Sequence, residues 1–303
     1  MITFEIGEFI KKSRKQRGIT QEQLAHPFMD RSHISKIERG LVAPDKNTLT
    51  TLLERLGIAL QELPVFFLDG EEAEFQRRLD EITSHLARGR NDEAQKLMKR
   101  LEQEKHAQRL LYQQRFQLYK GIWQLQQGKN LDRALEHILA AIHLTLPTFD
   151  EGEISSYLLS KQDVLCLNNL VLIYCMKGDL DRGIRLLYQL KANYDGRFMD
   201  ASAKRGVYSL IVYNLAKALA ENDKCAESIE ICQMGRQSCL DLADLEMLPS
   251  MAAIEAICLY ELGQVEEAAS LFRQAYYGFA MYGKPGDQQV VKEYAQQRNI
   301  KIG

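Results

Sequence analysis

TQEQLAHPFMDRSHISKIERG, residues 20–40, decides how the rest of the chain is read. It breaks into two short helical stretches around a tight corner. Thr20 has the side chain of an N-cap, and Gln23, three positions on, completes a capping box. Leu24 and Ala25 form the apolar inner face of the first stretch. Pro27 ends it, because proline has no N–H to give the preceding turn. Asp30 or Ser32 can cap the second stretch, where Ile34 and Ile37 sit three apart and point inward. Gly40 stops it. What remains outward is Arg31, Ser32, His33 and Lys36, a face that is short, polar and cationic. A helix with that face suits the major groove of DNA.

On either side the chain keeps a helical rhythm. Residues 5–17 read as a helix with Ile6, Phe9, Ile10 and Ser13 inward and Lys11, Lys12 and Lys15 outward. Residues 47–56 read as another, capped by Asn47 or Thr48, with Leu49, Leu52, Leu53 and Leu56 buried and Gly57 as its stop. Ile58 to Leu63 close this group as a fifth helix. Pro64 and the pair Asp69-Gly70 then break the chain. The segment 64–71 reads as a short linker, although Val65, Phe66, Phe67 and Leu68 are apolar enough to pack against something.

The run RGITQEQLA, then SHISKIERG, then a proline resembles the lambda-repressor-type (XRE) helix-turn-helix over residues 4–63. The resemblance implies a five-helix domain at 1–63. It also implies an internal ion pair between Arg14 and Glu38, which fall where such domains usually hold one. On DNA, Arg31, Ser32 and Lys36 are the expected base readers, with His33 beside them, because arginine and lysine most often read guanine O6 and N7. Thr20, Gln21 and Arg39 are expected to grip phosphate.

A chain of 303 residues has room for two domains, since single cores rarely grow past about 250. Its net charge is −2, yet residues 1–40 hold eight Lys/Arg against five acids. A modest positive patch on an otherwise acidic chain suits a protein that meets DNA with one end only. No apolar run approaches the roughly 18 residues of a membrane span, and no signal peptide is legible, so a cytoplasmic location is expected. The six cysteines form no CxxC pair and have no histidine at zinc spacing. No Ser/His/Asp set, phosphate loop or HExxH motif appears, so neither catalysis nor a cofactor or metal is expected.

From Glu72 onward one pattern recurs: a turn residue, a small residue about five later, then apolar or small residues four and three further on. Gly89, Ala94, Met98 and Leu101 fit it. So do Gly128, Ala134, Ile138 and Ala141, with one residue inserted, and Gly178, Gly183, Leu187 and Leu190. Asp223, Ser228, Cys232 and Gly235 follow, then Gly263, Ala268, Phe272 and Ala275. This resembles degenerate tetratricopeptide repeats with long helices. The expected fold class is all-α: the five-helix head followed by a tetratricopeptide-like α-solenoid over 72–303. That solenoid would have about five helix pairs plus a last helix near 287–298, and a concave inner face.

An XRE head followed at once by five such repeats resembles the PlcR-like, peptide-responsive regulators of the RRNPP group, best in VYNLAKALAENDKCAESIEI at 212–231. The resemblance implies a homodimer that binds a near-palindromic operator in double-stranded DNA and a short linear signalling peptide in the solenoid. Counting back from each turn places equivalent inner positions at Arg115 and Tyr119, at Asn168 and Asn169, and at Tyr213, Asn214 and Lys217. Asparagine amides can donate to and accept from an extended peptide backbone. Arg115 or Lys217 could take a terminal carboxylate. The alternatives are that both asparagines bond neighbouring helices and that both tyrosines pack the core.

Cys225, Cys232 and Cys239 recur every seven residues on one helix face. They fit a thiol switch, or small apolar filler between helices. The rival readings are therefore a helix-turn-helix regulator with no peptide ligand, controlled by a protein partner, or one controlled by cysteine oxidation.

Overall fold

A computed structural model describes residues 2–59, 70–128 and 130–302. Among the described residues there is no strand. Of the expected fifth helix at 58–63, Ile58 and Ala59 are described and are not helical; residues 60–63 and most of the expected linker at 64–71 lie outside the described residues, and Gly70 already opens a helix.

The head begins with α1 (Ile2–Gln16), α2 (Gln21–Ala25), α3 (Arg31–Glu38) and α4 (Lys46–Arg55). Ile10, Leu24, Ala25, Ile34, Ile37, Leu49, Leu52, Leu53 and Leu56 are buried in one cluster, with Ile6 and Phe9 packed on its edge. Each such leucine or isoleucine contributes about 1.5–3 kcal/mol on leaving water. The capping box of Thr20 and Gln23 is formed in both directions, at 3.1 and 2.8 Å. Asp30 occupies the N-cap position of α3 without a side-chain cap bond. Helix α4 is capped one turn earlier than expected: Asp45, not Asn47 or Thr48, accepts from the Thr48 N–H at 2.9 Å. Asp45 has φ −66° and ψ 166°, the extended backbone that a cap residue needs.

The repeats are helix pairs. They comprise α5 (Gly70–Ala87) with α6 (Asn91–Leu101) and α7 (Leu110–Gln126) with α8 (Leu131–Thr145); α9 (Lys161–Met176) and α10 (Leu180–Gly196) come next along the chain. After the short α11 (Ala201–Lys204) come α12 (Val207–Glu221) with α13 (Cys225–Asp241), α14 (Leu248–Glu261) with α15 (Val265–Met281), and α16 (Pro285–Gln297). The chain gathers into two compact units: residues 1–178 with 196–203, and residues 179–195 with 204–303.

The recurring pattern has a direct structural cause. Gly89, Gly128, Gly178, Asp223 and Gly263 all take positive φ, between 58° and 85°, where the first helix of a pair hands over to the second. The small residue that follows is buried in each case: Ala94, Ala134, Gly183, Ser228 and Ala268. Small side chains are required where the paired helices cross. A Cβ on Gly121 would lie 2.5 Å from the Ile138 side chain, and one on Gly235 would lie 2.8 Å from that of Val212.

In the first unit α7, α8 and α9 share a buried polar knot. Asp163 accepts from Gln114 Nε2 at 2.7 Å, from Thr145 Oγ1 at 2.6 Å and from the N–H and hydroxyl of its cap partner Ser160 at 2.8 and 2.7 Å. Its four bonds keep the charge satisfied. In the second unit α12, α13 and α14 pack mutually, and α15 and α16 complete the stack around Phe272, Ala275 and Phe279.

The head is joined to the repeats inside the first unit. Glu54 of α4 accepts from the Lys161 N–H at 3.0 Å, Arg197 donates to the Arg55 carbonyl, and the Asp200 N–H donates to the Gly57 carbonyl at 2.8 Å. Gly57 has φ +73°, and a Cβ there would stand 2.6 Å from the Phe198 carbonyl oxygen, so this junction needs glycine.

Candidate DNA interface and ligand-facing stripes

Helix α3 is held from behind. Ile34 and Ile37 are fully buried. Arg14 of α1 makes a bidentate pair with Glu38 at 2.6 and 3.0 Å, and its Nη1 donates to the Ile19 carbonyl at 2.8 Å. The Gln21 amide donates to the same carboxylate at 2.8 Å. The resemblance-implied ion pair is therefore present and ties α1, the start of α2 and the end of α3 together.

That anchoring turns one face of α3 outward. Arg31, Ser32, His33, Lys36 and the following Arg39 are all exposed. Among the described residues, no acidic side chain pairs with Arg31, Lys36 or Arg39. A cationic face with no internal partner is what a polyanion can use without first breaking an ion pair. Of the expected phosphate-side residues, Thr20 is exposed with its hydroxyl engaged in the cap, and Gln21 is half-buried on Glu38. Lys12 and Lys15 are exposed on α1, and Lys11 pairs with Glu8 at 3.4 Å.

The expected peptide residues fall on the first helices of their pairs. In the first unit, Asn168 and Asn169 are half-buried on a stripe of α9 that also carries Leu165 and Leu172. The Asn169 amide donates to the Leu165 carbonyl of its own helix at 2.8 Å. Arg115 lies against Asp80 at 3.2 Å and lines a cleft of about 340 Å³ with Lys46, Asn47, Glu54 and Lys161. Tyr119 is buried at 4 % exposure and its hydroxyl bonds Thr83 and the Leu79 carbonyl, so it packs the core and not a stripe.

In the second unit, Leu210, Tyr213, Asn214 and Lys217 form the half-exposed row of α12. Lys217 reaches Glu221 at 3.8 Å. Burial, with Asp287 and Glu221 nearby, raises the Tyr213 phenol above its ordinary pKa. Cys232 and Cys239 are fully buried, and burial pushes both thiols up, with Cys258 reaching about 12. Thiols held protonated among packed helices act as small apolar filler.

Sequence reasoning missed the junction of head and repeats. It also missed the buried Arg55, an arginine inside a leucine row, Leu52-Leu53-Glu54-Arg55-Leu56. Arg55 is 2 % exposed and donates to the Leu24 and His26 carbonyls, with its guanidinium 4.8 Å from the Phe28 ring.

Residues 10–63 match the helix-turn-helix family model HTH_3. The chain is an all-helical protein with an XRE-type helix-turn-helix head and tetratricopeptide-like repeats. Its fold is that of PlcR of Bacillus thuringiensis, solved in complex with the peptide PapR7 and DNA. The two are 19% identical, with 95% of this chain and 99% of that one covered and a TM-score of 0.60. ComR from S. thermophilus, solved with DNA and its signalling peptide ComS, is 14% identical over 96% of this chain and 99% of that one, with a TM-score of 0.50. The pheromone receptor Rgg2 of Streptococcus dysgalactiae is 14% identical over 97% of this chain and 99% of that one, at 0.51. No curated protein matches by sequence. Among the described residues no helix is long and apolar enough to cross a membrane.

Proposed function

We propose that this protein is a cytoplasmic, non-enzymatic transcription regulator whose head binds double-stranded DNA and whose repeats bind a short linear signalling peptide. The observation that carries the reading is the union of two features in one chain. Helix α3 presents Arg31, Lys36 and Arg39 outward from a rigid anchor, and the fold around it, head and repeats together, is shared with PlcR along nearly the whole length of both chains. PlcR and ComR were each solved with a peptide and DNA.

In this reading Arg31, Ser32, His33 and Lys36 meet base edges, while Thr20, Gln21 and Arg39 meet phosphates. Two copies of the chain present two heads to the half-sites of a near-palindrome. Asn168, Asn169 and Asn214 take the peptide backbone, with Tyr213 as an apolar flank. Arg115 and Lys217 are the cations available to a carboxylate. A peptide changes DNA affinity only by preferring one arrangement of the chain over another. The boundaries that fit are a head at 1–63 and a regulatory domain at 72–303.

Calorimetry of the full-length protein with fractions of secreted peptides tests the sensing half. Saturable heat that disappears in Asn214→Ala supports it. Heat that is unchanged in Asn214→Ala and Asn169→Ala contradicts the placement, and no heat with any fraction favours control by a protein partner.

A further inference from the structure

The second unit gathers thiols from two helices that pack on each other. Cys225 opens α13, and Cys258 sits near the end of α14. Those two ends meet. Asp223, Cys225 and Glu227 share the wall of an open cleft of about 560 Å³ with Ile257, Glu261 and Tyr294. Within that contact the Cys258 thiol is in hydrogen-bond reach of the Cys225 sulfur. The sequence spacing of seven sets Cys225 beside Cys232 and Cys239 on one helix; the fold instead gives it a partner on the next helix.

The four thiols of this unit differ in access. Cys232, Cys239 and Cys258 are fully buried, and Cys225 is half-buried at the wall of the cleft. Burial pushes the Cys258 thiol up to about 12, so it stays protonated at neutral pH. A solute entering the cleft meets Cys225 first. A redox-sensing cysteine combines access to solvent with a second sulfur close by, which resolves the first oxidation product. Cys225 has both. Cys232 and Cys239 lack the first.

We propose that Cys225 and Cys258 form a reversible redox pair, oxidised by hydrogen peroxide to an intramolecular disulfide. The Cys225 sulfur attacks one peroxide oxygen and the O–O bond breaks. The departing hydroxyl takes the Cys225 proton and leaves as water, and Cys225 becomes a sulfenic acid. The Cys258 sulfur then attacks the Cys225 sulfur. The S–S bond forms, the S–O bond breaks, and the second hydroxyl leaves as water with the Cys258 proton. Peroxide gains two electrons and the two thiols give them up. A small thiol restores the pair by exchange. In the reduced chain Cys258 packs as filler, and oxidation of its neighbour gives it this second role. The crosslink ties the pair α12–α13 to the pair α14–α15. The site is separate from the outward face of α3 and from the stripe of α9, and it does not depend on the peptide reading.

The test treats the full-length protein with hydrogen peroxide, alkylates the remaining thiols, and maps its peptides without reductant. The expected product is a crosslink between the peptides that carry Cys225 and Cys258, reversed by dithiothreitol. Cys225→Ser and Cys258→Ala should each abolish it, and Cys239→Ser should leave it unchanged. With Cys258 gone, oxidised Cys225 should stop at the sulfenic acid and be labelled by dimedone, while the parent labels weakly because Cys258 consumes that species. A thiol that merely packs would not change this labelling. Cys225→Ser, at a half-buried position, keeps the result readable if Cys258→Ala folds poorly. No crosslink, a crosslink between other cysteines only, or equal dimedone labelling of the parent and Cys258→Ala would overturn the pair.

Discussion

A methyl group added at Gly7 would lie 2.2 Å from the Ile37 carbonyl oxygen. Helix α1 therefore rests on the backbone at the end of α3, and Arg14, two turns further along, reaches the Glu38 carboxylate. These two contacts set the tilt of the outward face. Glu38→Gln leaves Arg14 buried without its counter-charge and should cost the head about 3–5 kcal/mol. Gly7→Ala forces the two helices apart and should cost about 1–3 kcal/mol, the usual range for overpacking. Both should lower the unfolding midpoint in a denaturant titration and weaken DNA binding, although neither side chain touches DNA. A Glu38→Gln variant as stable as the parent would remove the anchor from the account.

At the scale of elements, the Asp163 knot and the positive-φ turns are the features to test. Asp163→Ala strips the acceptor from Gln114, Thr145 and Ser160 together, and about 3 kcal/mol of stability should go with it. Asp223 has φ 58° where the other repeats use glycine, so Asp223→Gly should raise Tm slightly, worth about 0.5–1 kcal/mol. A lower Tm would show that the aspartate does more there than turn the chain. Helices were legible because the turn residue and the buried small residue recur at matched spacing. The cap at Asp45 was not, since Asn47 and Thr48 carry equally good capping side chains and only the fold selects among them. Tyr119 was misplaced for a related reason. A half-polar side chain on a helix suits a groove or a core equally until the neighbouring helix, here α5 with Thr83 and Leu79, is known. The outward row of α3 was readable because Ile34 and Ile37 fix which way the helix faces.

Across the whole molecule, the junction of head and repeats is the part no local pattern announced. Arg55 and Glu54 meet residues more than a hundred positions away, and periodicity carries no information about such pairs. Glu54 gives this junction a pH dependence. Burial pushes its carboxyl up to about 7 from an ordinary 4.5, against the lowering effect of the Lys161 N–H and charge. The folded chain then holds a proton that the unfolded chain has released. The stability linked to that proton is full below about pH 4.5, declines as pH rises to about 7, and is flat above. Glu54 keeps some exposure, so its contribution is about 1–2 kcal/mol. The difference in Tm between the parent and Glu54→Gln should therefore widen from pH 5 to pH 7, with the variant the more stable at the higher pH. Parallel profiles would contradict it.

The central claim is that this chain reads DNA through the outward face of α3. Its most direct test is selection of binding sites from random duplexes by the full-length protein, followed by fluorescence anisotropy on the selected and a scrambled duplex. Arg31→Ala should relax the preference, costing about 1–3 kcal/mol on the selected site and far less on the scrambled one, while Lys12→Ala should weaken both about equally. No enrichment of any sequence, or equal losses for the two variants on both duplexes, would contradict the account.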